Sequence, residues 1–546
     1  MFTTPKRRRG VALIAGLAIA GLSLTACSGG GSSAGSAPLD WEITEQTAAP
    51  AGDIEQITWA SYAEPFSLDY AYAFDYADNQ VLANVCESLL RLNPDFTLEP
   101  SLAESFANPT PTTWVYQIRD GVKFHDGTVM TAADVVASMQ RHIDPELGSS
   151  WFSVYQNVAS IEQTGEREVT VTTTIPDSQF NLGMGGSAGV IESAATLAEA
   201  GADYGNSSTG VNCTGPMQFD SWKSGERISL SRFADYWNPE LAAKSERFDF
   251  VFMTDATART NALKSGEVDG TWLLPIDAAQ NLQDAGGDVL YGMNTAVSNL
   301  IVSDMEGPLG DVRVRKALLM ALDRQGILDA MNKGVGEVTD VFTTPSVWGD
   351  ADPAVTESAF AEIEAYPHDV EAAKALVEEA GASGASVKLV TAPINQDFAI
   401  VSQATAAAGK SIGLDVKIET VTPAAYTTLF SDPDARKGVD LFYTQWYLSS
   451  PDPLEMYAVL RTGEFSNYGN WENPEYDSLV TEAVSTMDPK SRSALTAQAQ
   501  QLANEELPWL PLVTAPNAMY LGERVTGLSP SINFLYYPWA ATLGAR

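Results

Sequence analysis

Between Trp114 and His142 the hydrophobic period changes from two residues to 3.6. The stretch Trp114 to Arg119 (WVYQIR) alternates like a half-buried strand, and Asp120-Gly121 turns it into Val122-Lys123-Phe124. A second turn, His125-Asp126-Gly127, precedes Thr131, and Asp134 follows Thr131 by three residues, the pattern of a capping box opening a helix over Ala132 to His142. A chain that makes both periods side by side must pack helices onto a sheet, which restricts it to the α/β or α+β class. The same switching recurs along the chain. Strands are expected at Ile54 to Ser61 (a sheet edge by its alternation), Glu168 to Thr174, Ile228 to Arg232, Val387 to Val390 and Leu414 to Ile418. Helices are expected at Asn79 to Leu92, Ala256 to Ser265, after Asp311, at Val370 to Ala380 before Gly381, at Glu475 to Thr486 and at Lys490 to Glu506. No internal repeat is present.

A length of 546 residues suggests two to four domains, and 12 Trp, 19 Tyr and 20 Phe can fill a sizeable core. Acids outnumber bases 70 to 32, a formal charge of −38, so the basic footprint of a nucleic-acid binder is missing. Lys6-Arg7-Arg8-Arg9 precedes an apolar run from Val11 to Leu24 that is short for a membrane span and ends in Leu24-Thr25-Ala26-Cys27. That ending resembles a lipobox, with Cys27 as the lipidated residue and 1–27 as the signal. The alternatives are an ordinary secretory signal or an uncleaved anchor. Ser28 to Pro38 (SGGGSSAGSAP) reads as a flexible tether, which we extend over 28–53. No later segment is long and apolar enough to span a membrane, so the mature chain is expected outside the cytoplasm on a lipid leash. In that oxidising setting Cys86 and Cys213 are a candidate disulfide, with two buried free thiols as the alternative.

Catalytic and metal motifs are weak. There is no CxxC or HExxH, and only three histidines, His125, His142 and His368, so no metal or other cofactor is expected. Gly185-Gly186-Ser187-Ala188-Gly189 fits G-x-S-x-G, but the segment before it is turn-like where a nucleophile elbow needs a strand. A hydrolase using Ser187 is therefore a remote alternative. The His125-Asp126 pair sits in a tight turn, where local hydrogen bonding explains it without catalysis. No enzymatic activity is expected.

The stretch IRDGVKFHDGTVMTAADV (118–135) resembles the signature of the family 5 extracellular solute-binding proteins, the oligopeptide- and dipeptide-binding type that serves ABC importers. Eight further segments agree in order: EPFSLDY (64–70), NVCESLLRLNPDFTLEPSLAES (84–105), CTGPMQF (213–219), DYWNPE (235–240), LKSGEVDG (263–270), DVRVRKALLMALDR (311–324), HDVEAAKALVEEAG (368–381) and NPEYDSLVTEAV (473–484). The resemblance implies an α/β, two-lobed Venus-flytrap fold of the large type II kind, with an extra domain inserted in lobe one. Lobe one would comprise 54–99, 206–297 and 515–546, the inserted domain 100–205, and lobe two 298–514. Cys86 and Cys213 would then share lobe one. The implied role is to enclose a ligand between the lobes, most simply a peptide, and deliver it as a monomer to separate permease and ATPase chains.

The stretch YTQWYLSSPDP (443–453) carries a departure from that family. In peptide-binding relatives a tryptophan is followed three residues on by an aspartate that pairs with the peptide's α-ammonium. Here Trp446 fits, but the aspartate position falls on Ser449. The arginine that relatives use for the ligand carboxylate falls on Gln396. Leu441 to Trp446 is expected as a strand and Tyr447 to Ser450 as a loop facing the cleft. Ser449, Trp446, Tyr447, Gln396, Tyr62 and Glu64 are the candidate ligand-binding residues. Either specificity has moved to a non-peptide solute (an oligosaccharide, an opine-like compound or a metal chelate), or Ser449 caps the turn and Glu64, Asp397 or Asp452 supplies the charge.

Overall fold

The computed structural model describes residues 41–546. Cys27, the signal segment 1–27 and the tether up to residue 40 lie outside the described residues. Two large sheets organise the chain. The seven-stranded one runs, in spatial order, Asp288–Gly292, Asn517–Leu521, Gly270–Thr271, Ile54–Ser61, Ser245–Phe252, Arg227–Arg232 and Met217–Lys223. The six-stranded one runs Glu337–Val338, Trp509–Thr514, Val297–Val302, Leu441–Trp446, Ser386–Thr391 and Asp415–Thr420. Each has helices packed against it and its own apolar core, which makes the fold two-lobed and α/β. A four-stranded antiparallel sheet, Ala103–Thr110, Thr113–Ile118, Glu168–Thr173 and Val158–Gly165, forms a third layer with its own buried cluster around Trp114, Tyr116, Tyr155 and Phe180.

Among the described residues, two short connections join the large sheets. Strand Asp288–Gly292 passes to Val297–Val302 through 293–296, and Trp509–Thr514 passes to Asn517–Leu521 through 515–516. Asn294 ties them together by donating its amide to the Ala515 carbonyl at 2.8 Å. Two such crossovers leave few backbone dihedrals between the lobes, the construction on which hinge closure depends in general.

The core of the first lobe closes around tryptophans. Trp59 packs on Trp539 (ring centroids 4.7 Å) and on Trp272 (5.8 Å), and Trp539 donates its indole N–H to the Gln80 carbonyl at 3.1 Å. The last segment of the chain thereby returns to the lobe that the first strand begins.

Three expectations are corrected. Ile54–Ser61 is an interior strand and not an edge, with Ser245–Phe252 on one side and Gly270–Thr271 on the other, both parallel to it. The helix expected over Asn79 to Leu92 covers Tyr76–Val85 and stops at Cys86, whose backbone is extended (φ −117°, ψ 158°). A disulfide joins Cys86 to Cys213, with Cα atoms 4.8 Å apart, and Leu90–Leu92 then pairs as a strand with Leu98–Pro100. Residues 41–53, read as part of a flexible tether, are fastened to the first lobe: Thr44 N–H donates to Tyr291 O (2.7 Å), Thr47 N–H to Leu528 O (2.9 Å) and Ala51 N–H to Ala545 O (2.8 Å). Polar composition concealed this, because the fastening uses backbone groups that any residue supplies.

The capping box forms. The Asp134 carboxylate accepts the Thr131 N–H at 2.8 Å and its hydroxyl at 2.7 Å, and takes the Ala194 N–H at 3.1 Å. Asp134→Ala is expected to cost about 1–2 kcal/mol, read as a lower denaturant midpoint, because a cap and a loop contact are lost together.

Candidate ligand-binding cleft

Ile54–Ser61 runs parallel to Gly270–Thr271 in one sheet, and Leu441–Trp446 parallel to Ser386–Thr391 in the other, so the carboxyl ends of each pair lie together and carry the residues expected to line the cleft. Leu441–Trp446 is the strand expected, and the loop after it reaches the first lobe. The Tyr447 hydroxyl donates to the Phe74 carbonyl at 2.7 Å, and its ring meets Tyr76 edge-on at 5.2 Å. Leu448 exchanges two hydrogen bonds with the Thr295 hydroxyl of the crossover, at 3.0 and 3.1 Å. Trp446 turns away into the second lobe's core against Trp509, with ring centroids 5.3 Å apart.

Ser449 is bound by a residue that sequence reading missed. Glu455 accepts its N–H at 2.9 Å, its hydroxyl at 2.8 Å and the Ser450 N–H at 2.7 Å. A carboxylate six residues downstream thus closes the turn. The motif signal for it was only the acidic residue after Pro453 in the first turn of helix Leu454–Ala458.

The other named residues fall around the cleft with different degrees of freedom. Gln396 is exposed at the first position of helix Gln396–Ser411, which Asn395 caps by accepting the Asp397 N–H at 2.9 Å. The Tyr62 hydroxyl donates to Asp75 at 2.6 Å. Glu64 accepts the Trp222 indole N–H at 2.8 Å and the Gly225 N–H at 3.0 Å. Asp452 is buried and paired with Arg492 at 2.7 Å.

Asp397 is different. It is half-buried, and its one side-chain partner is the Gln445 amide at 3.4 Å, a marginal contact. Burial, and then the charge of Asp277 from the opposite lobe, push its carboxyl up to about 6. Asp277 itself is held by Lys333 at 2.7 Å. Beside Gln445, across the sheet, stands Ser298, whose hydroxyl meets that of Tyr443 at 3.1 Å. Of the acids named from sequence, Asp397 alone keeps a carboxylate without a close donor. Such a group stabilises a cation that enters the site.

The catalytic alternatives are placed elsewhere. Ser187 is 1% exposed, and its hydroxyl donates to the Asn79 side chain at 3.4 Å, with no histidine among its partners in the described residues. The glycines around it serve packing: a Cβ on Gly185 would lie 2.3 Å from Leu98 Cδ1, and one on Gly189 2.2 Å from the Met184 carbonyl oxygen. His125 Nε2 lies 3.0 Å from the Gly215 carbonyl, and burial pushes its pKa down to about 4. Asp126 accepts the Thr128 N–H at 2.8 Å and the Asn212 amide at 2.9 Å, so this pair holds a turn together. No group of three or more metal-ligating side chains occurs among the described residues, and no described helix is long and apolar enough to cross a membrane.

Comparison with known proteins agrees with the two-lobed fold. The sequence model of the bacterial extracellular solute-binding proteins, family 5 (middle region), matches residues 97–468. The glutathione-binding protein GsiB of Shigella dysenteriae serotype 1 (strain Sd197) is 26% identical over 483 residues, covering 86% of this chain and 91% of the relative. Among solved structures, AgaA of A. tumefaciens R10 in complex with agropinic acid superposes with a TM-score of 0.79 at 22% identity, over 90% of this chain and 99% of that one. The Helicobacter pylori periplasmic binding protein DppA in complex with the peptide STSA also gives 0.79, at 20% identity, over 90% of this chain and 98% of that one. The chain belongs to family 5 of the bacterial extracellular solute-binding proteins.

Proposed function

We propose that the protein is a lipid-anchored, monomeric receptor on the outer side of the cytoplasmic membrane or in the periplasm. It encloses a ligand with a free ammonium group, a short peptide above all, and delivers it to the permease and ATPase chains of an ABC importer. Cys27 carries the lipid. The division 54–99, 206–297 and 515–546 for lobe one, 100–205 for the inserted domain and 298–514 for lobe two is part of this reading, and the separate sheets support it. So do the glutathione and peptide ligands in the names of the relatives above.

The observation that carries the peptide reading is the unsatisfied carboxylate of Asp397 at the cleft. An ammonium there gains a charge-assisted hydrogen bond in a half-desolvated place, as the missing aspartate at position 449 would otherwise provide. The AgaA likeness keeps an opine-like solute as the second reading.

The test is a tryptophan-fluorescence titration of the chain lacking residues 1–27, with free peptides and their N-acetylated forms. Free peptides are expected to bind, acetylation to abolish binding, and Asp397→Asn to weaken it by about 30-fold or more. Binding that survives both acetylation and Asp397→Asn would discard the ammonium anchor and leave the non-peptide solutes. The pH dependence has a definite sign. The cation needs the charged carboxylate, whose pKa in the free protein is about 6. Affinity should therefore be level between about pH 6 and 7.5, fall by up to about tenfold per unit below that range, and fall again above about pH 8 as the peptide's own ammonium deprotonates.

A further inference from the structure

The four-stranded layer touches the second lobe directly, at a place remote in sequence from both crossovers. The Ser178 N–H donates to the Val484 carbonyl at 2.9 Å. Val484 lies in the last turn of helix Pro474–Ser485, whose final carbonyls have no partner within the helix. Ser178 is 4% exposed and Val484 7%, so this bond is made out of water. Two residues past the helix, the half-buried Met487 packs against the apolar cluster of the four-stranded layer, a cluster otherwise built from residues between Leu89 and Trp237. The donor loop is itself stiff: Asp177 accepts the Asn157 amide at 2.8 Å and the Gln179 N–H at 2.9 Å.

We propose that the inserted layer is a clasp that holds the lobes together without any ligand, by capping the end of helix Pro474–Ser485 through Ser178 and by packing its core against Met487. The proposal rests on the reading that the lobes open and close around a ligand, and not on which ligand that is. A hydrogen bond and a half-buried thioether shared by both lobes favour the closed arrangement in the empty protein. The ligand then supplies only the remaining difference between the two states. The layer would thus regulate how long a ligand stays enclosed, acting through the Ser178 and Met487 contacts.

The experiment uses the empty chain lacking residues 1–27. Hydrogen exchange is followed at the Ser178 amide, and the radius of gyration is measured by small-angle X-ray scattering. In the unaltered protein the Ser178 amide is expected to be protected without ligand. Met487→Glu should speed its exchange about tenfold or more and enlarge the radius of gyration, while Met487→Leu should restore both. Fast Ser178 exchange in the unaltered empty protein would overturn the clasp. So would a Met487→Glu protein, folded by circular dichroism, with unchanged exchange and size. A Met487→Glu protein that fails to fold leaves the first measurement to decide. None of these outcomes depends on the peptide reading, which the acetylation experiment tests separately.

Discussion

Arg141→Met is expected to destabilise the protein by about 3–5 kcal/mol, because it strands two buried carboxylates. Arg141 ends helix Ala132–Arg141 and reaches both Asp69, at 2.9 and 2.5 Å, and Glu192, at 2.5 Å. The two acid side chains are 4% and 3% exposed. Burial raises the Glu192 carboxyl and the neighbouring Asp69 raises it further, while Arg141 pulls it back. Methionine keeps much of the stem's packing but removes the charge and the hydrogen bonds. Without the guanidinium, which now pulls it back, the Glu192 carboxyl rises further above its unfolded value. Groups raised on folding contribute stability at low pH that is lost as pH climbs through the folded pKa. The deficit should therefore be largest at neutral pH and shrink toward pH 4, which urea unfolding at both values would read. A deficit below about 1 kcal/mol, or one independent of pH, would show that the triad is not a buried charge network.

The second large effect is expected for Cys86→Ala with Cys213→Ala. The bridge closes a sequence separation of 127, and the loop-entropy relation gives about 4–5 kcal/mol for a loop of that length. The bridge also holds a buried acid in place. Glu87, next to Cys86, accepts the Thr214 hydroxyl (2.8 Å), the Tyr236 hydroxyl (2.8 Å) and the Trp237 indole N–H (2.9 Å). Thr214 follows Cys213, so the covalent link sets the register in which this carboxylate finds its donors. Denaturant unfolding with and without reductant should show the same loss in the reduced native protein as in the double variant, and no reductant effect on the variant. A loss under about 1 kcal/mol would mean that the unfolded chain is already restrained or that the Glu87 contacts suffice alone.

Much of the framework was legible because it is local. The capping box at Thr131 and Asp134 needs only residues three apart, and helices Ala256–Ser265 and Val370–Glu379 follow from apolar spacing. The helix from Tyr76 failed at Cys86 for a non-local reason: the apolar spacing continues through Leu89 and Leu92, but a bridge to residue 213 and a strand pairing with Leu98–Pro100 compete with another helical turn. Tertiary context outweighs propensity in such cases, since one turn of helix is worth less than a bridge and a buried ladder.

The cleft shows the same division more sharply. Sequence order placed Trp446, Tyr447 and Ser449 on a strand and the loop after it, and also named Glu64, Asp397 and Asp452 as acids that could substitute at the site. Which of the acids is free was decided only by partners distant in the chain: Trp222 and Gly225 for Glu64, and Arg492 for Asp452. The family and the alternation of strands and helices were therefore determined by the sequence alone, because they depend on residue spacing and on motifs in order. The state of each carboxylate was decided by the tertiary structure, because a charge is governed by whatever donor, cation or water lies within a few ångströms, and that neighbour can sit a hundred residues away.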